Sequence, residues 1–219
     1  AGGHEVTALV RPTSRRDHIE RVVSHFVVGD QADRNVWRPL LDGQDCVVHN
    51  AVDWEALRTD LRRHLDSNLN GSIELLRASA ERQFVFISTI AVHHDIRPRW
   101  QGLIDEDHPL RPNTLYGAYK AAVEAHLWHA HFAEGVNTSA VRPSAVYGID
   151  PSLERSHGYT IVQTLRQSGR YSRPGGGKFV HVDDVAAVVG AIAGNAKAAG
   201  EAYNLADCYA RWGDLARMA

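Results

Sequence analysis

The stretch Phe84-Val85-Phe86-Ile87-Ser88-Thr89 (FVFIST), followed about 28 residues later by Tyr116-Gly-Ala-Tyr-Lys120 (YGAYK), decides how this chain folds. FVFI is apolar at every position, the pattern of a strand buried on both faces rather than one with a wet side. The pattern recurs on either side, in Glu5 to Val10 (EVTALV), His25 to Val28 (HFVV), Cys46 to His49 (CVVH) and Thr138 to Val141. Helical patterns separate these runs. One extends from about Trp54 to Ala80, with Leu57, Leu61, Leu65 and Leu69 at four-residue spacing, Ile73 and Leu76 continuing the stripe, and Asp53 placed as N-cap. The other runs from Leu115 to roughly Glu134. Alternating strands and helices predict an α/β fold, a doubly wound parallel sheet covered on both faces. Residues 145–180, rich in Gly, Ser, Arg and Pro, read as a loop region with one short helix near Thr160 to Gln167.

The 219 residues suffice for one well-buried domain. With 24 basic against 26 acidic residues, no global positive field exists to hold nucleic acid or an anionic membrane. The longest weakly polar run, Val185 to Gly194, is far shorter than the roughly 18 residues of a membrane span. Two cysteines in unrelated contexts, Cys46 and Cys208, indicate neither a disulfide scaffold nor a zinc knuckle, and point to a reducing, cytoplasmic setting.

In a doubly wound sheet, ligands sit at the carboxyl ends of the strands. Arg11, Asp30, Asn50, Ser88-Thr89 and Ser144 all fall there. Tyr116 and Lys120, four apart on a helix, share one face. A lone tyrosine titrates near pH ~10 and is a poor base at neutrality, but a nearby ammonium favours its phenolate. A hydroxyl from Thr89 or Ser88 across the cleft then orients a substrate alcohol or carbonyl while Tyr116 moves the proton.

With these residues in order, the chain resembles the extended short-chain dehydrogenase/reductases, the NAD(P)-dependent epimerase/dehydratase family. GHEVTALVR (3–11) resembles the family's second strand, VVGD (27–30) the third, and DCVVHNAV (45–52) the fourth. SNLNGSIELL (67–76), FISTIAV (86–92), YGAYKAAVE (116–124), VRPSAVYG (141–148), FVHVDDVA (179–186) and YNLAD (203–207) follow in the family's sequence. The resemblance implies a Rossmann-type domain over 1–219, with 145–180 contributing to a small substrate-binding region. It assigns Thr89, Tyr116 and Lys120 as catalytic. It places Arg11, Asp30, Gln31, Asn50, Ala51, Ser88, Lys120, Pro143 and Ser144 at the cofactor, with Asn68 supporting the site. Glu124 matches a recurring family position that a Lys120/Glu124 helix-surface pair also explains. Family members often dimerise through a helix pair that includes the tyrosine helix.

Departures from the family pattern shape these expectations. The chain opens at what resembles the run-up to the second strand, so the first strand and its Gly-rich, pyrophosphate-cradling turn are expected to be missing, and Gly2-Gly3 does not replace them. The chain therefore reads as a fragment, ending in or just after a helix near Trp212. Arg11, with Arg15 and Arg16 close behind, stands where NAD-preferring members carry an acid, which favours NADP over NAD. Ala145 and Gly177 occupy positions that serve nucleotide-sugar substrates in the family, with Arg142, Arg170, Arg173 or Lys178 as substitutes. Ile90-Ala91 replaces the acidic pair of the dehydratases, which disfavours dehydration.

Among the thirteen histidines, His93-His94-Asp95 and His126, His129 and His131 read as solvated or capping residues, not metal ligands. Arg62-Arg63-His64 reads as the wet face of a helix, Gly175-Gly176-Gly177 as a flexible loop, and Asp183-Asp184 as a helix cap. The expected function is hydride transfer between a nicotinamide cofactor and a secondary alcohol or ketone carbon of a small carbonyl or sugar substrate. The alternatives are a nucleotide-sugar epimerase and a non-catalytic NAD(P)-sensing regulator on the same fold.

Overall fold

The computed structural model describes residues 3–94 and 96–218. Gly2 of the Gly2-Gly3 pair and Asp95 of the histidine run lie outside the described residues. In chain order the elements are β1 (Thr7–Val10), β2 (His25–Val28), α1 (Trp37–Leu41), β3 (Cys46–His49), α2 (Trp54–Thr59), α3 (Leu61–His64), α4 (Gly71–Ala78), β4 (Gln83–Ile87) and α5 (Leu115–Glu134). Then come β5 (Thr138–Pro143), β6 (Ala145–Tyr147), α6 (Tyr159–Ser168), β7 (Gly176–His181), α7 (Val182–Ile192), β8 (Glu201–Leu205), β9 (Cys208–Arg211) and α8 (Trp212–Met218). No helix among the described residues is long and apolar enough to cross a membrane.

The centre is a four-stranded parallel sheet in the order β3-β4-β5-β8. Alternation along β4 sends Phe84 and Phe86 to one face, where they pack with Leu75, Leu76, Val123 and Leu127 of α4 and α5. Val85 goes to the other, with Val141 of β5, Ile192 of α7 and Ala198. β4 and β5 are thus covered on both sides, as their sequences predict. β1 and β2 form a parallel pair of their own, with no strand bonded between β1 and β3. The two sheets are joined below by Gln44, whose Nε2 donates to Thr7 Oγ1 at 3.3 Å. Val28 and Val48, 47% and 45% exposed, show where helical cover ends, so the expectation of two fully covered faces holds only for the central strands.

The expected helix over 54–80 is broken. Asp53 caps α2, accepting from Ala56 N at 2.9 Å, but Asp60 takes extended backbone (φ −144°) and starts α3 by accepting from Arg63 N. A π-helical turn, Leu65–Asn70, then leads into α4. The two breaks rotate the leucine stripe out of register, leaving Leu61 and Leu65 58% and 41% exposed, while His64, read as wet, is buried. The region 145–180 is more than loop: β6 and β7 pair in parallel and β7 pairs antiparallel with β9. Gly176 opens β7 where a Cβ would collide with the Ala210 carbonyl, so the glycine triplet admits a close strand instead of forming a flexible loop. At α7 the cap is His181, whose ring nitrogen accepts from Asp183 N; Asp183 and Asp184 lie in the first turn.

His49, at the carboxyl end of β3, is buried against Phe84 and Phe86. Its Nε2 donates to Ser72 Oγ at 2.8 Å, and Ser72 passes its own proton to Asn68 O. Burial, reinforced by Lys120, pulls its pKa down to about 3. The unfolded chain therefore takes up a proton near pH ~6.5 that the folded chain refuses, and this stability is lost as pH falls from there to about 3. At 1.36 kcal/mol per pH unit the loss between pH ~6.5 and pH ~4 is on the order of 3 kcal/mol. Urea titrations at neutral pH and at pH ~4 are expected to show a smaller acid loss for His49→Gln than for the parent.

Candidate active site

The site forms at the carboxyl edge of the central sheet, where β4 ends beside the first turn of α5. Thr114 caps α5, accepting from Gly117 N at 3.0 Å, and fixes where Tyr116 emerges. Gly117 permits the approach of the 3₁₀ turn Ile90–Val92, since a Cβ there would strike the Ala91 carbonyl. Through this contact the Thr89 side chain comes close enough to the Tyr116 phenol to favour its ionised form. Lys120, one turn on and 1% exposed, donates from Nζ to Ile87 O at 2.6 Å. Its ammonium lies 4.4 Å from the centre of the Phe86 ring and 5.8 Å from that of Tyr116. Burial draws the Lys120 pKa down to about 7, opposed by Glu124. The same burial raises the Tyr116 pKa, and only the Thr89 side chain opposes it. The expectation that Lys120 acidifies Tyr116 is therefore not met in this state: the phenol keeps its proton at neutral pH.

Behind this group lies an arrangement that sequence reasoning missed. Glu124 is not on the surface with Lys120; it is fully buried and faces Arg142 of β5, itself 3% exposed. Arg142 donates to both carboxylate oxygens, at 3.1 Å from Nε and 2.7 Å from Nη2. Its Nη1 reaches Glu106 O at 3.1 Å and His93 Nε2 at 3.3 Å. Ser88 donates its hydroxyl to Glu124 as well. This network engages both side chains: Ser88 donates its hydroxyl proton to a buried carboxylate, and Arg142 turns its guanidinium to Glu124, Glu106 and His93. The available signal was a lone arginine inside the fully buried strand TSAVRP, since a buried charge requires a partner.

Of the other expected cofactor residues, Arg11 follows β1, Asp30 and Gln31 follow β2, Asn50 and Ala51 follow β3, and Pro143 and Ser144 end β5. Asp30 holds its own loop by accepting from Ala32 N at 2.9 Å. Asn68, buried in the π turn, binds two of these loops together: Oδ1 accepts from Asp53 N at 2.7 Å and Gln31 Nε2 at 3.3 Å, while Nδ2 donates to Asp53 O and His64 Nδ1. The Asn68 side chain thus ties Gln31, Asp53 and His64 together beneath these loops. Arg15 is paired with Asp17 at 2.8 Å and Arg16 lies over Phe26, which leaves Arg11 as the guanidinium at the end of β1. Gln31 Oε1 and Ser144 Oγ are buried polar atoms without a protein partner, at the ends of β2 and β5. Orphaned groups in a row of strand ends suit a ligand lying across the sheet, as an extended dinucleotide would. No Gly-rich turn follows a strand among the described residues, so the pyrophosphate finds no cradle there. The cavity of about 410 Å³ beside Arg142 and β8 is lined by neither Thr89 nor Tyr116 and is a separate feature.

The model of the NAD dependent epimerase/dehydratase family matches residues 1–206. The chain is 30% identical over 215 residues to a dTDP-glucose 4,6-dehydratase of Streptomyces griseus, covering 91% of this chain and 64% of that protein. It is 29% identical over 211 residues to a 3-diazoavenalumate denitrifying reductase of a Streptomyces species, covering 88% and 65%. It thus spans under two thirds of the length of these curated relatives. The crystal structure of a dTDP-glucose 4,6-dehydratase from Bacillus anthracis in complex with NAD superposes with a TM-score of 0.77 at 17% identity, covering 97% of this chain and 70% of that one, a likeness of fold.

The buried pair gives a direct test. Glu124→Gln leaves the Arg142 charge buried without its counter-ion, at an expected cost of about 3–5 kcal/mol in urea unfolding, whereas replacing both residues by methionine is expected to cost less than this single change.

Proposed function

This chain belongs to the NAD dependent epimerase/dehydratase family, and on that premise we propose that it forms the core of an NAD(P)-dependent oxidoreductase acting on a secondary alcohol or ketone carbon. The observation that carries the reading is the convergence of Thr89 and Tyr116 at the end of β4, with the Lys120 ammonium 5.8 Å from the Tyr116 ring centre. The nicotinamide supplies or accepts the hydride. In reduction, the Tyr116 phenol, kept protonated by burial, delivers its proton to the carbonyl oxygen, and the Thr89 hydroxyl holds that oxygen by a hydrogen bond. Lys120, with a pKa of about 7, carries charge when a neighbouring phenolate forms and steadies it. In oxidation the same residues run in reverse, and epimerisation adds re-reduction from the other face.

On the adenosine side, Asp30, Gln31, Asn50 and Ala51 border the cofactor, with Asn68 fixing their loops. Pro143, Ser144 and the Ser88 backbone border the nicotinamide side. Arg11 favours NADP over NAD. The sheet of β6, β7 and β9 with α6 forms the substrate-binding region within 145–180. A homodimer through α4 and α5 fits the cleft of about 360 Å³ between them, lined by Ile73, Leu76, His126 and Ala130. Free Cys46 and Cys208 suit a reducing cytoplasm.

The second reading, a nucleotide-sugar epimerase or dehydratase, draws on the name of the Streptomyces griseus relative. Against it, Ile90 and Ala91 offer no acid or base beyond Thr89, and Arg142 is committed to Glu124. Against a non-catalytic sensor stands the assembly of three reactive side chains at one strand end.

With the complete protein and a panel of carbonyl compounds, Tyr116→Phe is expected to lower kcat by roughly 10²- to 10⁴-fold while the Kd for NADPH changes by less than about twofold. Turnover that survives the substitution refutes the assignment. Arg11→Asp is expected to weaken NADPH binding roughly tenfold or more and leave NADH binding nearly unchanged, as read by fluorescence titration.

A further inference from the structure

Tyr116 is held between two aromatic rings of very different character. On one side Tyr119 meets it edge-on, with centroids 5.7 Å apart, and is itself 3% exposed. On the other, the indole of Trp54 lies flat against it, with centroids 4.9 Å apart and planes 25° from parallel. Trp54 is 46% exposed and opens α2, a helix pinned at its start by the Asp53 cap and, through Asp53, by Asn68. Arg58, one turn along, is exposed and holds its guanidinium 5.8 Å from the indole centre. The immobile wall of the phenol is therefore buried, and its accessible wall is a tryptophan.

On the reading of Tyr116 as proton donor, the ring stacked against that donor is the Trp54 indole. The part of the indole left accessible beside Tyr116 and the exposed Arg58 guanidinium rewards a flat π-system by offset stacking, a gain beyond the burial of area alone. It offers only one hydrogen-bond donor, and so little to a polyhydroxylated ring. The charge pattern agrees: the deep cation at this end of the sheet, Arg142, is neutralised by Glu124. We infer that Trp54 is a specificity-determining residue, and that the substrate carries a flat unsaturated group, an aryl or conjugated substituent, on the reacting carbon. The inference rests on the reading of Tyr116 as proton donor and names the substrate class of that same site.

The test compares acetophenone with cyclohexyl methyl ketone, of similar size but without a π-face, and with dTDP-glucose. In the complete protein, the parent is expected to reduce acetophenone with a kcat/KM about tenfold above that for the cyclohexyl compound. Trp54→Ala is expected to bring the ratio near one by loss on the aryl arm, and Trp54→Phe to hold it within about threefold of the parent. A Trp54→Ala variant that slows both ketones equally, or leaves the ratio intact, overturns the inference. Saturation-transfer NMR on the Tyr116→Phe protein, which keeps the ring and needs no turnover, reads binding separately. A Trp54-dependent acetophenone signal supports the inference, and tighter binding of dTDP-glucose than of acetophenone overturns it. If that signal is present but neither ketone is turned over by the parent, the oxidoreductase reading fails while the Trp54 subsite stands.

Discussion

The ion pair between Glu124 and Arg142 is the constraint from which the rest of the site follows. Both groups lie where water cannot solvate them, so each is tolerable only with the other in place, and the geometry of the pair fixes the rotation of α5 against β5. Glu124 also takes the Ser88 hydroxyl, which ties the end of β4 to the same point. Tyr116 and Lys120 lie two turns and one turn up that helix. With α5 unable to roll, Tyr116 faces Thr89 and Lys120 faces the last carbonyl of β4. Net stabilisation is not what such a pair chiefly supplies, since an apolar replacement of both partners serves stability as well or better. Its contribution here is a single orientation of the helix that bears the reactive groups.

That orientation also governs the charges. Lys120 is buried by the packing that aligns it, so its ammonium loses hydration and its pKa descends to about 7. Tyr116 is buried by the same packing and holds its proton more firmly. A bare site of this kind is poised as an acid, with a neighbouring amine ready to gain charge.

The strands and α5 were legible because each rests on a local signal: an unbroken apolar run, or a helix bounded by Thr114 and Gly135. The order of Thr89, Tyr116 and Lys120 was legible for the same reason. What escaped the sequence was non-local or competed with a stronger periodic signal. Four leucines at four-residue spacing read as one helix through Asp60 and the π turn, although Asp60 in extended backbone breaks it and exposes Leu61 and Leu65. For Glu124 the sequence left a recurring family position and a surface pair with Lys120 both open, because its partner Arg142 is 18 residues away on a strand. Asn68 reads as a site residue, but its three partners, Gln31, Asp53 and His64, show that it acts on loops. The glycines at 175–177 read as a flexible loop, yet the smallness of Gly176 serves the approach of β9.

Family and substrate are written in different residues of this chain. The strands, the helix of Tyr116 and the buried network behind it decide where a hydroxyl and an amine meet. None of these contacts depends on what flanks the reacting carbon. On the inference above the flank is supplied by α2, a six-residue helix capped by Asp53, whose half-exposed Trp54 stacks on Tyr116. A scaffold that fixes chemistry in its core and specificity on a short exposed helix can exchange substrates without unmaking its catalytic geometry. A dehydratase and a reductase resemble this chain to nearly the same degree, 30% and 29% identical.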